Sequence, residues 1–346
     1  MIFFKIFLIP FSLIYGLIIW LRNKFFDFGI LRSRSFDLPI ISVGNLSYGG
    51  TGKTPHVEYI INLIGDSKNN AVLSRGYRRN TKGFYLVENT LNYKSVGDEP
   101  LQLSNKFKNT IIAVCEDRLF AIKKLINMNI NFIILDDAFQ YRYLDPGMNI
   151  LLTTYQNLYI NDFLLPFGSL RESKSAFIRA STIIVTKTPR ALLPVDKKRL
   201  IEQIAPWPHQ KLFFSFYEYH KPKHVFSSKE ISFDEQKILL LTGICDPQPI
   251  KDYLLGKVEL LKHLKYPDHY EYKEKDIVKI KEVWTEIQSS EKIILTTEKD
   301  CMRLKMFKKE LENLPIYYLP ISVNFHEKEK FNNLIIDYVK KNKGDF

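Results

Sequence analysis

The chain has 346 residues, 45% hydrophobic and 25% charged, with a net charge of +12. That is long enough for two globular units, and it excludes a disordered or fibrous chain. Three widely spaced cysteines (Cys115, Cys245, Cys301) exclude a disulfide framework and a Cys-x-x-Cys zinc site, and they fit a reducing compartment.

The positive balance asks for an anionic partner, but no nucleic-acid module accompanies it, so nucleic acid is not expected. Residues 6–21 carry no charge. As a helix they rise roughly 24 Å, short of the roughly 30 Å hydrocarbon core, and Pro10 and Gly16 interrupt them. Trp20, Arg22 and Lys24 at one end suit an interfacial anchor. The expectation is a membrane-associating helix over residues 1–25, lying in the interface or, alternatively, crossing as a single span.

Residues 40–55 read Ile-Ile-Ser-Val-Gly-Asn-Leu-Ser-Tyr-Gly-Gly-Thr-Gly-Lys-Thr-Pro. An apolar strand, a small-residue loop and a helix start follow one another, the context that a phosphate-binding loop requires. Gly49, Gly50 and Gly52 let backbone N–H groups converge on phosphate oxygens, with Ser47, Tyr48 and Thr51 completing the loop. Lys53 reaches the outer phosphates and Thr54 offers its hydroxyl to Mg²⁺. The pattern G-x-x-x-x-G-K-[ST] wants Gly at position 47, where this chain has Ser47.

A strand over 71–74 ends in Ser74-Arg75-Gly76-Tyr77-Arg78-Arg79, a basic turn suited to phosphates or headgroups. Gly97-Asp98-Glu99-Pro100 precedes a helix over 101–107. Taken alone, its carboxylates read as a helix cap. Strands follow over 111–114, 149–153 and 182–187, with a helix over 118–127. Residues 131–137 form a buried strand ending in Asp136-Asp137, the pattern in which a strand-end carboxylate holds Mg²⁺. Thr186-Lys187 faintly resembles the base-reading element of nucleotide switches, but the following Asp is missing. Apolar strands alternating with helices mean a mostly parallel α/β sheet.

The Pro-rich stretch 189–208 reads as a boundary. Beyond it come strands over 211–219, 237–242, 291–296 and 316–323, a turn containing His269, and helices over 276–287 and 330–340. The expected division is 1–25 for the hydrophobic helix, 26–205 for a P-loop kinase domain and 206–346 for a smaller α/β domain.

Seven motifs occur in register: Val43 to Pro55, Ser74-Arg-Gly-Tyr77, Gly97-Asp-Glu-Pro100, Asp136-Asp-Ala-Phe-Gln140, Leu165-Pro-Phe-Gly-Ser-Leu-Arg-Glu172, Pro267-Asp-His269 and Thr297-Glu-Lys-Asp300. Together they resemble the tetraacyldisaccharide 4′-kinase (lipid A 4′-kinase) family, over nearly the whole chain. That family's loop also has a small hydroxyl residue at the position of Ser47. Ala138 and Tyr141 depart from the usual Gly and His.

The resemblance implies transfer of the γ-phosphoryl of ATP, with Mg²⁺, to the 4′-hydroxyl of a tetraacylated glucosamine disaccharide 1-phosphate in lipid A biosynthesis. It implies that Asp98 is the catalytic base and that His269 is its dyad partner. Lys53 would neutralise the transferring phosphoryl, and Thr54 with Asp136 or Asp137 would hold the metal. Arg75, Arg78 and Arg171 are candidates for phosphate or substrate contacts. It also implies work at the cytoplasmic face of the bacterial inner membrane, as a peripheral or single-helix anchored enzyme. The alternative is a membrane-associated P-loop NTPase acting as a nucleotide switch.

Overall fold

Ile40, Ile41 and Val43 are β-branched and apolar, and every residue of β1 (Ile40–Asn45) is buried. A strand buried on both faces belongs in the middle of a parallel sheet covered by helices. Each of these three side chains contributes roughly 1.5–3 kcal/mol by leaving water. The fold that places β1 there is a computed structural model describing residues 6–88, 91–232, 236–289 and 291–342. The start of the expected hydrophobic helix (1–5) and the end of the expected second domain (343–346) lie outside the described residues.

The strands continue as β2 (Asn70–Ser74), β3 (Tyr85–Leu86), β4 (Ile111–Val114), β5 (Phe132–Asp136), β6 (Met148–Thr154), β7 (Thr182–Thr186) and β8 (Lys211–Tyr219). After them come β9 (Lys223–His224), β10 (Lys237–Thr242), β11 (Glu259–Lys265), β12 (Lys292–Thr297), β13 (Ile316–Leu319) and β14 (Ile321–Phe325). The larger sheet runs β14-β8-β7-β6-β1-β5-β2-β4-β3, and the smaller runs β11-β10-β12-β13-β9. In the larger sheet only β14 and β3 lie antiparallel to their neighbours. In the smaller sheet only β9 does. This is the expected α/β class, with a large mostly parallel sheet and a second, smaller mixed one.

Two boundaries differ from the sequence reading. The strand expected over 316–323 is two strands in two sheets, because Pro320 lacks the N–H that would continue the ladder. The sheets also divide after Tyr219 rather than at residue 205: β8 and β14 pair with each other and close the larger sheet. Helix Pro194–Ile204 fills part of the stretch read as a boundary, with Pro194 tolerated in its first turn.

The hydrophobic segment forms α1 (Ile9–Asp27). Its polar side is tied to Leu164 and the Leu165–Glu172 loop that follows: Ser12 Oγ donates to Leu164 O (3.1 Å), Phe167 N donates to Ser12 Oγ (2.9 Å) and Tyr15 OH donates to Arg171 O (2.8 Å). Leu13, Leu17 and Trp20 on its other side are each more than half exposed. Among the described residues no helix is long and apolar enough to cross a membrane. The apolar stretch of α1 stops at Leu21, and Arg22, Lys24 and Asp27 occupy the last turns.

Candidate active site

The C-terminal ends of the parallel strands share one rim, where open α/β sheets bind ligands. β1 lies between β5 and β6 there, and its loop leads into α2 (Lys53–Ile64). Gly52 sits at φ +89, and a Cβ on it would meet Tyr217 OH at 2.5 Å, so only glycine serves. Ser47 needs no such freedom. It makes an extended bridge to Leu170, and Tyr48 N donates to Ser169 O (2.6 Å). The Leu165–Glu172 segment thus splints the loop that the missing glycine would otherwise have bent.

Lys53 Nζ donates to Asn45 Oδ1 (3.3 Å) and lies 3.7 Å from Asp137 Oδ1. Asp137 also takes two bonds from Arg171, at 3.1 and 2.8 Å. Burial works against its charge, but Lys53 and Arg171 outweigh it and hold the carboxyl well below the ordinary range. Arg171 further donates to Asn45 Oδ1 and to Asn45 O (3.0 Å), so it braces the base of the loop.

Asp136 is different. It is fully buried, and neither of its oxygens has a hydrogen-bond partner; the buried hydroxyl of Thr54 has none either. Burial, with Glu99 adding to it, pushes the Asp136 carboxyl up to about 8. Buried oxygens left without partners are costly unless something absent from this structure satisfies them. A hydroxyl and a carboxylate are the hard donors that Mg²⁺ takes, alongside substrate phosphates and water. The residues therefore fit Mg²⁺ at Thr54 and Asp136, while Asp137 is already neutralised by cations. No group of three or more His, Cys, Asp or Glu able to hold a metal occurs among the described residues.

α3 (Asp98–Lys106) begins inside the Gly-Asp-Glu-Pro motif, one turn earlier than the sequence reading placed it. Gly97, at φ +95, packs on Gly76 just beyond β2, which brings Asp98 to the same rim. Across the cleft, His269 Nδ1–H donates to Asp98 Oδ2 (2.9 Å), a contact between residues 171 positions apart. Arg303 Nη2 lies 3.4 Å from the same oxygen, and Glu99 N donates to Asp98 Oδ1 (2.9 Å). Burial opposes the Asp98 charge, but His269, Arg303 and Lys299 overcome it and hold the carboxyl far below the ordinary range. His269 stands on the cleft wall, with Asp98 directly behind it.

The cleft encloses about 710 Å³ and is lined by the loop, Arg75, Asp137, Arg171 and His269, a size typical of small-molecule sites. Arg75 is exposed there and, among the described residues, has no ion pair. Arg78 instead donates to His269 O (3.0 Å) and braces the dyad. The residue-by-residue reading missed Lys299 and Arg303, which lie on α4 (Glu298–Leu304). Their helix was legible: Thr297-x-x-Asp300 is a capping signal, and Thr297 does accept from Asp300 N. Lys299 pairs with Glu99 across the cleft.

Glu298, also on α4, faces Lys106 (3.4 Å), which in turn holds Glu58 (2.6 Å). Burial, reinforced by Glu58, pushes Glu298 from its ordinary 4.5 up to about 7, against the pull of Lys106. Between those values the folded protein keeps a proton that the unfolded chain has lost. Stability therefore falls as pH rises through that window. In Glu298→Gln this fall is expected to flatten, and melting temperatures measured from about pH 5 to 8 check it.

A phosphate loop, an orphaned strand-end carboxylate and a carboxylate–imidazole pair in one cleft define a P-loop kinase. The family model described as tetraacyldisaccharide-1-P 4′-kinase matches residues 4–340. A tetraacyldisaccharide 4′-kinase of Bacteroides thetaiotaomicron is 41% identical, covering 97% of this chain and 93% of the relative. One from Phocaeicola vulgatus is 43% identical, covering 97% and 95%. A crystal structure of the "apo" form of LpxK from Aquifex aeolicus, in complex with ATP, superposes with a TM-score of 0.74 at 29% identity, covering 97% of this chain and 99% of that one. The chain belongs to the tetraacyldisaccharide 4′-kinase family, the ATP-dependent kinases that act in lipid A biosynthesis. The nucleotide-switch alternative is thereby set aside.

Proposed function

We propose that the chain moves the γ-phosphoryl of ATP to the 4′-hydroxyl of a tetraacylated disaccharide 1-phosphate, with Asp98 as the base, at the cytoplasmic face of the inner membrane. The observation that carries the reading is the Asp98–His269 bond on the rim that holds the phosphate loop. Asp98 accepts the hydroxyl proton, and His269 orients it and shares the charge. A strongly acidic carboxyl is adequate here, because phosphoryl transfer is loose and catalysis is mostly positioning and electrostatics. Lys53 swings from Asn45 and Asp137 to the outer phosphates and neutralises charge on the transferring group. Arg75 is left for the anionic substrate, while Arg78 and Arg171 position the dyad and the loop.

Thr54 and Asp136 would hold Mg²⁺, with the ionised Asp137 beside them; bound there, the ion would supply charge neutralisation at the phosphates. The exposed apolar side of α1 lies in the membrane interface, so that an acylated substrate enters without leaving the lipid. The two sheets act as two units, and the cleft between them carries both halves of the dyad. The test is transfer of labelled γ-phosphate from ATP to the lipid in mixed micelles, with Mg²⁺ and after chelation. Label on the lipid only with metal supports the reading; label appearing solely as free phosphate overturns it.

His269→Ala is expected to lower kcat about 10-fold, less than loss of the base itself. Steady-state kinetics at saturating ATP checks this.

A further inference from the structure

Asp98 is gripped at the start of α3, and that helix is held at its other end as well. Lys106, its last residue, stands between two carboxylates, with Nζ 2.6 Å from Glu58 Oε2 and 3.4 Å from Glu298 Oε1. Gln102, one turn earlier, donates to the other oxygen of Glu58 (2.9 Å). Beside them Asn105 Nδ2 donates to Met302 Sδ (3.4 Å).

Each carboxylate comes from a helix that carries other parts of the site. Glu58 lies on α2, which opens with Lys53 and Thr54. Glu298 opens α4, whose Lys299 pairs with Glu99 and whose Arg303 reaches Asp98. α3 is therefore tied to α4 twice, through Asp98 and Arg303 at its start and through Lys106 and Glu298 at its end. α4 follows β12 of the smaller sheet, so the ties cross from one unit to the other.

The group is a poor source of stability. The side chains of Glu58 and Glu298 are only 5% and 12% exposed, so both have lost most of their hydration. Two carboxylates also share one ammonium, and the Glu298 carboxyl, pushed up to about 7, bears the mark of that crowding. Buried ionic groups are often no more stabilising than apolar residues of the same volume, and their best-attested use is to fix register. Lys106 and Glu58 do not line the cleft, so their effect on the reaction runs through the helices they join.

We infer that Lys106 is a positioning residue for phosphoryl transfer: by bridging Glu58 and Glu298 it fixes the direction of α3, and with it the place of Asp98 against the phosphate loop. A misplacement of about 1 Å at the reacting groups costs up to about 10²-fold in rate. A helix still held by Arg303 at its start moves less than that, which sets the expected loss near 10-fold. The inference rests on Asp98 being the base.

The experiment compares steady-state transfer in the wild type, Lys106→Met, Glu58→Gln with Lys106→Met, Asp98→Asn, and Asp98→Asn with Lys106→Met. Lys106→Met keeps most of the stem and leaves Glu58 without its cation. Adding Glu58→Gln removes that unpaired charge, so a folded protein without the bridge is available even where the single variant is unstable. In both, kcat is expected to fall about 10-fold while KM for ATP stays within about two-fold. In the Asp98→Asn background, Lys106→Met is expected to add less than about two-fold, because a residue acting through Asp98 has no base left to place. Unchanged kcat overturns the inference. So does a loss carried by KM for ATP, or the same proportional loss with and without Asp98, either of which makes the group a structural tie only. Undiminished turnover in Asp98→Asn alone strikes the base reading and this inference with it, whereas a failure confined to the Lys106 variants leaves that reading standing. Melting curves establish that the variants compared are folded.

Discussion

Asp98→Ala is expected to lower kcat for lipid phosphorylation by about 10²- to 10⁴-fold, the usual contribution of a positioned general base. The affinity for ATP should stay within about two-fold, because the bonds of Asp98 go to His269, Arg303 and Glu99 N rather than to the phosphate loop. Alanine has a second effect that must be separated from the first. Arg303 is almost wholly buried between Asp98 and Asp300, and removing one of its two carboxylates leaves that charge less compensated, at a cost of about 1–3 kcal/mol. Asp98→Asn keeps the side-chain volume and an acceptor for His269 while removing the basic oxygen. Asn and Ala are expected to lose turnover alike, with Ala losing more stability. Rapid-quench transfer assays paired with thermal melts check both halves.

Lys53→Ala is expected to lower kcat/KM for ATP by about 10²- to 10³-fold, the scale of losing one preorganised electrostatic contact to developing charge. Without nucleotide the ammonium rests against Asn45 and Asp137. Its loss leaves Asp137 still held by Arg171 on two bonds, so the fold should survive. Lys53→Arg is not expected to rescue, since a planar fork cannot replace a compact point charge among converging N–H groups. Nucleotide binding by calorimetry, measured beside turnover, distinguishes lost affinity from lost chemistry.

Much of the fold was legible because its signals are local. The strand-loop-helix from Ile40 to Ile64 shows its β-branched run, its glycines and its helix start within 25 residues, and the apolar run ending at Asp136-Asp137 is equally compact. What stayed hidden is non-local. Pro320 signals that the run over 316–323 breaks, but not that β13 and β14 part to different sheets. β11 (Glu-Leu-Leu-Lys-His-Leu-Lys) is largely exposed and shows no clean alternation, so pattern alone did not find it. At the site, Asp98 reads by itself as a helix cap and His269 as a turn residue; resemblance alone paired them. Asp136 and Asp137 are indistinguishable in sequence and separate only through burial and the reach of Arg171.

If the proposed mechanism holds, Asp98 and His269 act as one unit, with Asp98 as the acceptor. The most direct measurement is a double-mutant cycle on single-turnover transfer, using Asp98→Asn, His269→Ala and the pair together at saturating ATP. His269→Ala alone is expected to cost less than Asp98→Asn and to add nearly nothing in the Asp98→Asn background. Fully additive losses would mean two independent groups. A His269→Ala loss equal to or larger than that of Asp98→Asn would make the imidazole on the cleft wall the base, and Asp98 behind it the residue that orients it.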